Sequence, residues 1–185
     1  MKKEQYEQLK NFQCPKWKDL PSFDIYMDQV IFFINDRLKP LYFDSEKNVI
    51  TSNMVNNYVK NSIVKPPIKK HYKPYHLAFL IAVCILKRCY SLTEITQLIE
   101  IEQAMEAPSI GDVYDSFSAC FDHYLHQIMT YGTVKEEYTF ANPNKEQLLM
   151  NSVVKTIVYK IHTEFEMYDY IPVSYTHLTL PTIRL

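Results

Sequence analysis

Asn53, Asn56 and Asn57 fall at i, i+3 and i+4, and Ser52 stands directly ahead of them. On a helix that spacing puts the three amides on one face. An asparagine amide offers a donor beside an acceptor, so it can pair bidentately with adenine in a DNA major groove; a serine hydroxyl can meet other base edges. Asparagine is a weak helix former, so three on one short helix weaken it and suggest a purpose besides folding. The structural alternative is a capped, solvated helix end. Next along the chain come Lys60, Lys65, Lys69, Lys70, His71 and Lys73, side chains suited to phosphates, where contacts fix register without reading sequence.

Charge is sorted along the chain. From Lys47 to Thr93 there are eight basic side chains and no acid. The full sequence has 20 basic against 21 acidic residues, so the rest holds 12 against 21, a balance of −9. Between Glu94 and Pro172 alone, 13 acids meet 4 bases. A positive field around a small polar helix suits a phosphate backbone; a solvated basic face is the plainer explanation.

Other chemistry is poorly supported. Cys120, His123 and His126 are spaced three apart, but three-residue steps drift around a helix and no fourth ligand is in view, so no metal site is expected. Asp112 and Asp115 fall in a first helical turn, where acids complement the helix dipole. No serine or cysteine has a readable base partner. Only two glycines occur, which excludes phosphate-binding glycine loops and disfavours an all-β fold. Cys14, Cys84, Cys89 and Cys120 lack paired ligand spacing and read as reduced thiols of a cytoplasmic protein. No catalytic residue, cofactor or membrane partner is expected. The longest apolar run, Leu77 to Leu86, is half a bilayer span and reads as a buried helix.

The elements that would carry these residues are helical. Residues 1–20 read as a polar arm, loose or frayed, with Trp17 its only large anchor. Pro21 and Ser22 open an amphipathic helix through Ile25, Val30, Phe33, Ile34 and Leu38, and Pro40 stops it. A turn follows over 44–48. Thr51 or Ser52 caps the asparagine helix, which ends near Lys60. Pro66 and Pro67 force an extended flap over 63–72. Pro74 starts the apolar helix, and Ser91 to Glu94 has capping-box spacing for another, to about Glu102. Ser109 and Asp112 open a long helix to Tyr131, closed by Gly132, with Val113, Phe117, Phe121, Tyr124 and Ile128 on one face. Asn142 and Pro143 open the last, with Leu149, Val153, Val154, Ile157, Ile161, Phe165 and Tyr168 on its face.

Residues Thr51 to Ile101 resemble the helix-turn-helix of mercury-resistance-regulator (MerR) type transcription factors. The matching features are Tyr58, the loop Ile63–Val64 with Pro66 and Pro67, the basic Lys69–Lys70–His71–Tyr72, the helix from Leu77 to Arg88, and the start Ser91–Leu92–Thr93–Glu94–Ile95. Asn53 to Lys60, Pro66, Pro67, Lys70, Tyr72 and Leu86–Lys87 resemble more closely the bacterial domain-of-unknown-function family 1836. That likeness covers Leu20 to about Tyr170, and the family is itself taken to be MerR-like. Separately, Val173 to Thr182 resembles a translated sequencing adapter (a transposon mosaic end), which implies a native chain cut short near Pro172; residues 173–185 are therefore set aside.

The expected fold is all-α: a MerR-like winged helix-turn-helix unit over 21–104, then an acidic helical hairpin over 109–172. The expected function is a sequence-specific, double-stranded-DNA-binding transcriptional regulator, with effector and operator unknown. Ser52, Asn53, Asn56 and Asn57 would touch bases; Lys60, Lys65, Lys69, Lys70, His71 and Lys73 would touch phosphates. The hairpin would form a homodimer through Phe117, Phe121, Tyr124, Ile128, Val154, Ile157, Ile161 and Phe165. A helical protein-interaction adaptor without DNA binding is the alternative.

Overall fold

A computed structural model describes residues 2–43, 48–103, 109–140 and 143–167. Residues 44–47 of the turn expected over 44–48, together with Asn142, Tyr168 and the tail 173–185, lie outside the described residues. Seven α-helices run in order: α1 (Lys2–Lys10), α2 (Met27–Leu38), α3 (Ser52–Lys60), α4 (Pro74–Leu86), α5 (Leu92–Gln103), α6 (Ile110–Tyr131) and α7 (Lys145–Met167). Single 3-10 turns cover Trp17–Asp19 and Lys39–Leu41.

The all-α expectation holds, but the winged unit does not. Among the described residues there is no β-strand, only two isolated antiparallel bridges, Ile25 with Tyr72 and Ile68 with His71. The reason is local. Ile68 and His71 exchange both backbone hydrogen bonds, at 3.0 and 2.9 Å. The next hydrogen-bonded rung outward would pair Pro66 with Lys73. Pro66 has no donor, and Lys73 N–H is given to His76 Nδ1 at 2.8 Å, while Tyr72 between them turns its N–H and carbonyl the other way, to Ile25, at 2.8 and 3.1 Å. The ladder stops after one rung. Nor do α2 and α3 form a helix-turn-helix: residues 39–51 separate them, where a tight turn uses about three or four. The described residues over 21–104 therefore do not form the expected MerR-like winged helix-turn-helix, and no wing stands beside α3.

α4 is the central element. His76, Leu77, Ala78, Leu80, Ile81, Val83, Cys84, Ile85 and Leu86 are all buried, consistent with a sequence apolar on every side. α2 packs against α4 and α3, and α6 packs against α4, α1 and α7. No helix among the described residues is long and apolar enough to cross a membrane.

Two local expectations for the first region fail. Pro21 and Ser22 do not open α2, because Ile25 is held extended by its bridge to Tyr72; the helix begins at Met27, after Tyr26. The N-terminal arm is also anchored. Leu9, Phe12 and Cys14 are buried, Tyr6 Oη donates to the Met129 carbonyl at 2.8 Å, and Phe12 meets Phe121 edge-on. Asp122 accepts from Cys14 N–H and Lys16 Nζ, each at 2.7 Å, and Asp115 accepts from Trp17 N–H at 2.6 Å. A Cβ at Gly111 would lie 3.1 Å from the Trp17 indole, so this glycine permits the close approach.

The α6–α7 pair forms as a hairpin. Ser109 Oγ caps α6 by accepting from Asp112 N–H at 3.1 Å, and Gly132 closes it at φ 70°. Asn144, not Asn142, caps α7, accepting from Gln147 N–H at 2.8 Å. Phe117, Phe121, Tyr124, Ile128, Val154, Ile157, Ile161 and Phe165 are all buried within the single chain. Their apolar faces are covered within the chain, with Phe121 also against Phe12 and Phe165 against Tyr6, and only Phe117, 9% exposed, borders an open cleft.

Candidate functional site

α3 starts at Thr51, whose Oγ1 accepts from Met54 N–H at 3.4 Å. Its inner face seats Val55 and Tyr58 in the core, while Ser52, Asn53, Asn56, Asn57 and Lys60 are exposed. Its C-terminus is a Schellman motif: Ile63 N–H reaches the Tyr58 carbonyl at 2.9 Å and Ser62 N–H reaches Val59 at 3.0 Å. Ser62 takes the left-handed position, at φ 58°. The buried Ile63 beneath it turns the chain sharply from the helix.

Asn35, on α2, fixes where α3 begins. Its Oδ1 accepts from Val49 and Ile50 N–H at 2.7 and 3.2 Å, and its Nδ2 donates to the carbonyls of Ile31 and Ile50 at 2.8 and 2.9 Å. Nothing in the periodicity marks Asn35; its four partners become visible only when α2 and 49–50 are brought together.

The basic flap reduces to a turn of two residues, Lys69 and Lys70, between the paired Ile68 and His71. Both lysines have positive φ, 50° and 68°. Two consecutive positive-φ residues are what a tight I′-type turn requires, and Asn-Gly is the pair that adopts them most easily. Lysine has a Cβ that opposes this region, at about 1–2 kcal/mol per residue. Two adjacent ammonium groups add repulsion. The turn therefore holds its two charges at a local conformational disadvantage.

His76 braces the turn from below. It is fully buried, its Nδ1 accepts from Lys73 N–H at 2.8 Å, and its Nε2 lies 3.3 Å from the Pro66 carbonyl. The first contact leaves the proton on Nε2, which donates to Pro66. One imidazole thus ties both ends of 66–73. Burial pushes its pKa below the ordinary histidine value, against the hydrogen bond it donates to the Pro66 carbonyl, which raises it. His71 above it stacks with Tyr26, ring centres 4.5 Å apart.

Among the expected site residues, Lys60, Lys65, Lys69 and Lys70 are exposed and carry no ion pair among the described residues; His71 and Lys73 are half-buried. Ser52, Asn53 and Asn56 make no side-chain hydrogen bond among the described residues. Asn57 is partly engaged, its Oδ1 accepting from Asn61 Nδ2 at 3.0 Å. Cys120, His123 and His126 are separately occupied: Cys120 Sγ lies 3.3 Å from Asn151 Oδ1, His123 Nε2 2.9 Å from the Glu136 carbonyl, and His126 Nδ1 3.3 Å from the Lys10 carbonyl.

The family model described as domain of unknown function (DUF1836) matches residues 15–117, a span containing α2 to α5 and ending inside α6. No curated protein and no solved structure matches the chain.

Proposed function

The chain belongs to the DUF1836 family, and from that premise we propose that it is a sequence-specific DNA-binding regulator, docking duplex DNA with the outer face of α3 and the Lys69–Lys70 turn. Ser52, Asn53 and Asn56 meet base edges, with Asn57 beside them. Lys60, Lys65, Lys69 and Lys70 meet phosphates, flanked by His71 and Lys73. The observation that carries this reading is the turn: two lysines held at positive φ, where Asn-Gly would fold more easily, with no acid to neutralise them among the described residues. A solvated surface has no need of that arrangement. A phosphate backbone does. No wing is required, because the tip is a single braced turn.

The reading includes a homodimer, since one small module covers only a half-site. Its surface is not the eight buried hairpin residues. The half-open apolar cleft bordered by the exposed Ile101, Ile110 and Leu149 supports a contact there. The same cleft, about 500 Å³ and lined by Phe79, Leu98 and Phe117, is the observation that favours the adaptor alternative.

Salt titration of duplex binding separates the two. Counterion release makes log K fall with log salt at about 0.9 per phosphate contacted, so a slope on the order of 3–5 per bound protomer is expected from this lysine set. Selection from random duplexes should then enrich adenine-containing sites. No duplex binding at low salt would remove the DNA reading and leave the adaptor.

A further inference from the structure

A second cavity, about 530 Å³, lies under α3, between its inner face, the end of α4 and the end of α7. Its lining is apolar where Phe43, Val49, Met54 and Met167 contribute. Five polar residues break that pattern: Tyr42, Tyr58, Lys87, Arg88 and Glu164, the two cations outweighing the one carboxylate. Tyr58 is fully buried, and its hydroxyl has no hydrogen-bond partner among the described residues. Arg88 has a side chain only 8% exposed, and its Nε–H is likewise unpartnered. Lys87 is exposed, its ammonium 5.7 Å from the Tyr58 ring centre.

Buried donors without acceptors are rare in native proteins, and each one calls for an explanation. Nearby acceptors among the described residues are already engaged. Glu164 pairs with Arg88 Nη2 and with Lys160 at 3.3 Å; the Leu41 carbonyl takes Arg88 Nη1 at 2.9 Å, and the Cys84 carbonyl takes Tyr42 Oη at 3.0 Å. Burial holds the Tyr42 phenol up at about 12 and the Tyr58 phenol higher still, so both keep their protons at neutral pH. The two orphans are therefore both donors, and Lys87 leaves the surroundings with surplus positive charge.

We propose that this cavity binds a small organic carboxylate with an apolar body, its oxygens accepting from the Tyr58 hydroxyl and Arg88 Nε while Lys87 offsets its charge. A carboxylate fits because two donors and one cation match its acceptor-only head. The apolar walls match a short aliphatic or aromatic body, and the volume is in the range of small-molecule sites, roughly 300–1,000 Å³. Met54 and Tyr58 belong to the inner face of α3, so occupancy would bear on the helix whose outer face is proposed to meet DNA. That coupling rests on the proposed function; ligand binding does not.

The test uses the full chain and no DNA. Calorimetry and thermal melting are run with acetate, benzoate, octanoate and phenylbutyrate, with octanol and phenylbutanol as neutral counterparts and inorganic phosphate as a plain anion. Saturable one-to-one binding of at least one of the apolar carboxylates is expected, about tenfold or more tighter than its alcohol. Tyr58→Phe should keep or raise the melting temperature of the free protein, because it removes an unpartnered hydroxyl. The same variant should weaken the carboxylate about tenfold. Lys87→Met should weaken it too, with an unchanged fold. Equal affinity for acid and alcohol, no binding by any apolar carboxylate, or full affinity in Tyr58→Phe would each overturn the proposal.

Discussion

The basic segment from α3 through the lysine turn and the acidic α6–α7 hairpin treat their polar groups in opposite ways. In the hairpin, polar side chains hold the fold through partners, though the buried Tyr114 Oη and Thr130 Oγ1 have none among the described residues. Lys155 holds Glu137 at 2.9 Å, and Tyr124 Oη donates to the same carboxylate at 2.6 Å. Gln127 closes the following loop through the N–H groups of Lys135 and Glu136, at 2.6 and 2.8 Å. Asn151 Nδ2 donates to the Tyr138 carbonyl at 2.9 Å. In the basic segment, Asn53, Asn56, Lys60, Lys65, Lys69 and Lys70 have no such partners among the described residues, while His76, Asn35 and Ser62 hold the backbone that presents them. Polar groups in one region build the fold. Those in the other are displayed by it.

That contrast can be broken by substitution. The largest effect is expected in the hairpin. Phe121→Ala removes a fully buried ring and should lower unfolding stability by about 3–5 kcal/mol, read from denaturant midpoints. Asn53→Ala and Asn56→Ala should shift the same midpoint by less than about 0.5 kcal/mol. Asparagine variants that unfold as readily as the hairpin variant would show that their face is structural.

A second test sharpens the displayed side. With DNA, Asn53→Ala should weaken the selected site by about 1–3 kcal/mol and random duplex hardly at all, because a base contact is lost but no phosphate contact. Equal loss on both would assign Asn53 no part in reading sequence.

A smaller effect is expected from pH. The folded-state pKa of His76 lies below its unfolded value, which is near 6.5. The neutral imidazole therefore stabilises the fold fully above about pH 6.5, and that contribution is lost as pH falls toward the lower folded value. Protonation would turn Nδ1 from acceptor to donor against Lys73 N–H. Asp24 alone among its charged surroundings favours the cation; Lys73 opposes it. The protection factors of the Ile68 and His71 amides, exchange taken relative to the intrinsic rate at each pH, should fall between pH 7.5 and 5.5 in the native chain and change less in His76→Gln. Identical pH profiles in both would assign the bracing to something else.

How much of this could be read from the sequence follows the range of the interactions. Short-range signals succeeded. Ser91 and Glu94 form their reciprocal box, with Ser91 N–H to Glu94 Oε2 at 2.7 Å and Glu94 N–H to Ser91 Oγ at 3.3 Å. Thr51, Ser109 and Gly132 end their helices as their types predict, and α4 is buried as its composition requires. Failures came where distant segments meet. Ile25 is taken from α2 by Tyr72, 47 positions away, and Pro66 cuts short a ladder that basic and extended residues alone would allow. The docking of residues 9–17 on α6 depends on Asp115 and Asp122, acids whose types suggest only a helix dipole or solvent. For the candidate site, residue types and exposure on α3 were legible. The positive φ of Lys69 and Lys70, the His76 brace and the unpartnered Tyr58 and Arg88 were not, because each is a property of a tertiary neighbourhood.

The central claim is that the lysine turn gives up conformational ease to display charge. Lys69→Asn with Lys70→Gly tests it most directly, by unfolding and by salt titration of duplex binding on one preparation. Opposite signs are expected: stability up by about 1 kcal/mol or more, since Asn-Gly accepts positive φ, and the salt slope of DNA binding reduced by about 2 per bound protomer, one unit per lost phosphate contact. A variant that binds duplex with the unaltered slope, or that folds no better than the Lys-Lys chain, would contradict it.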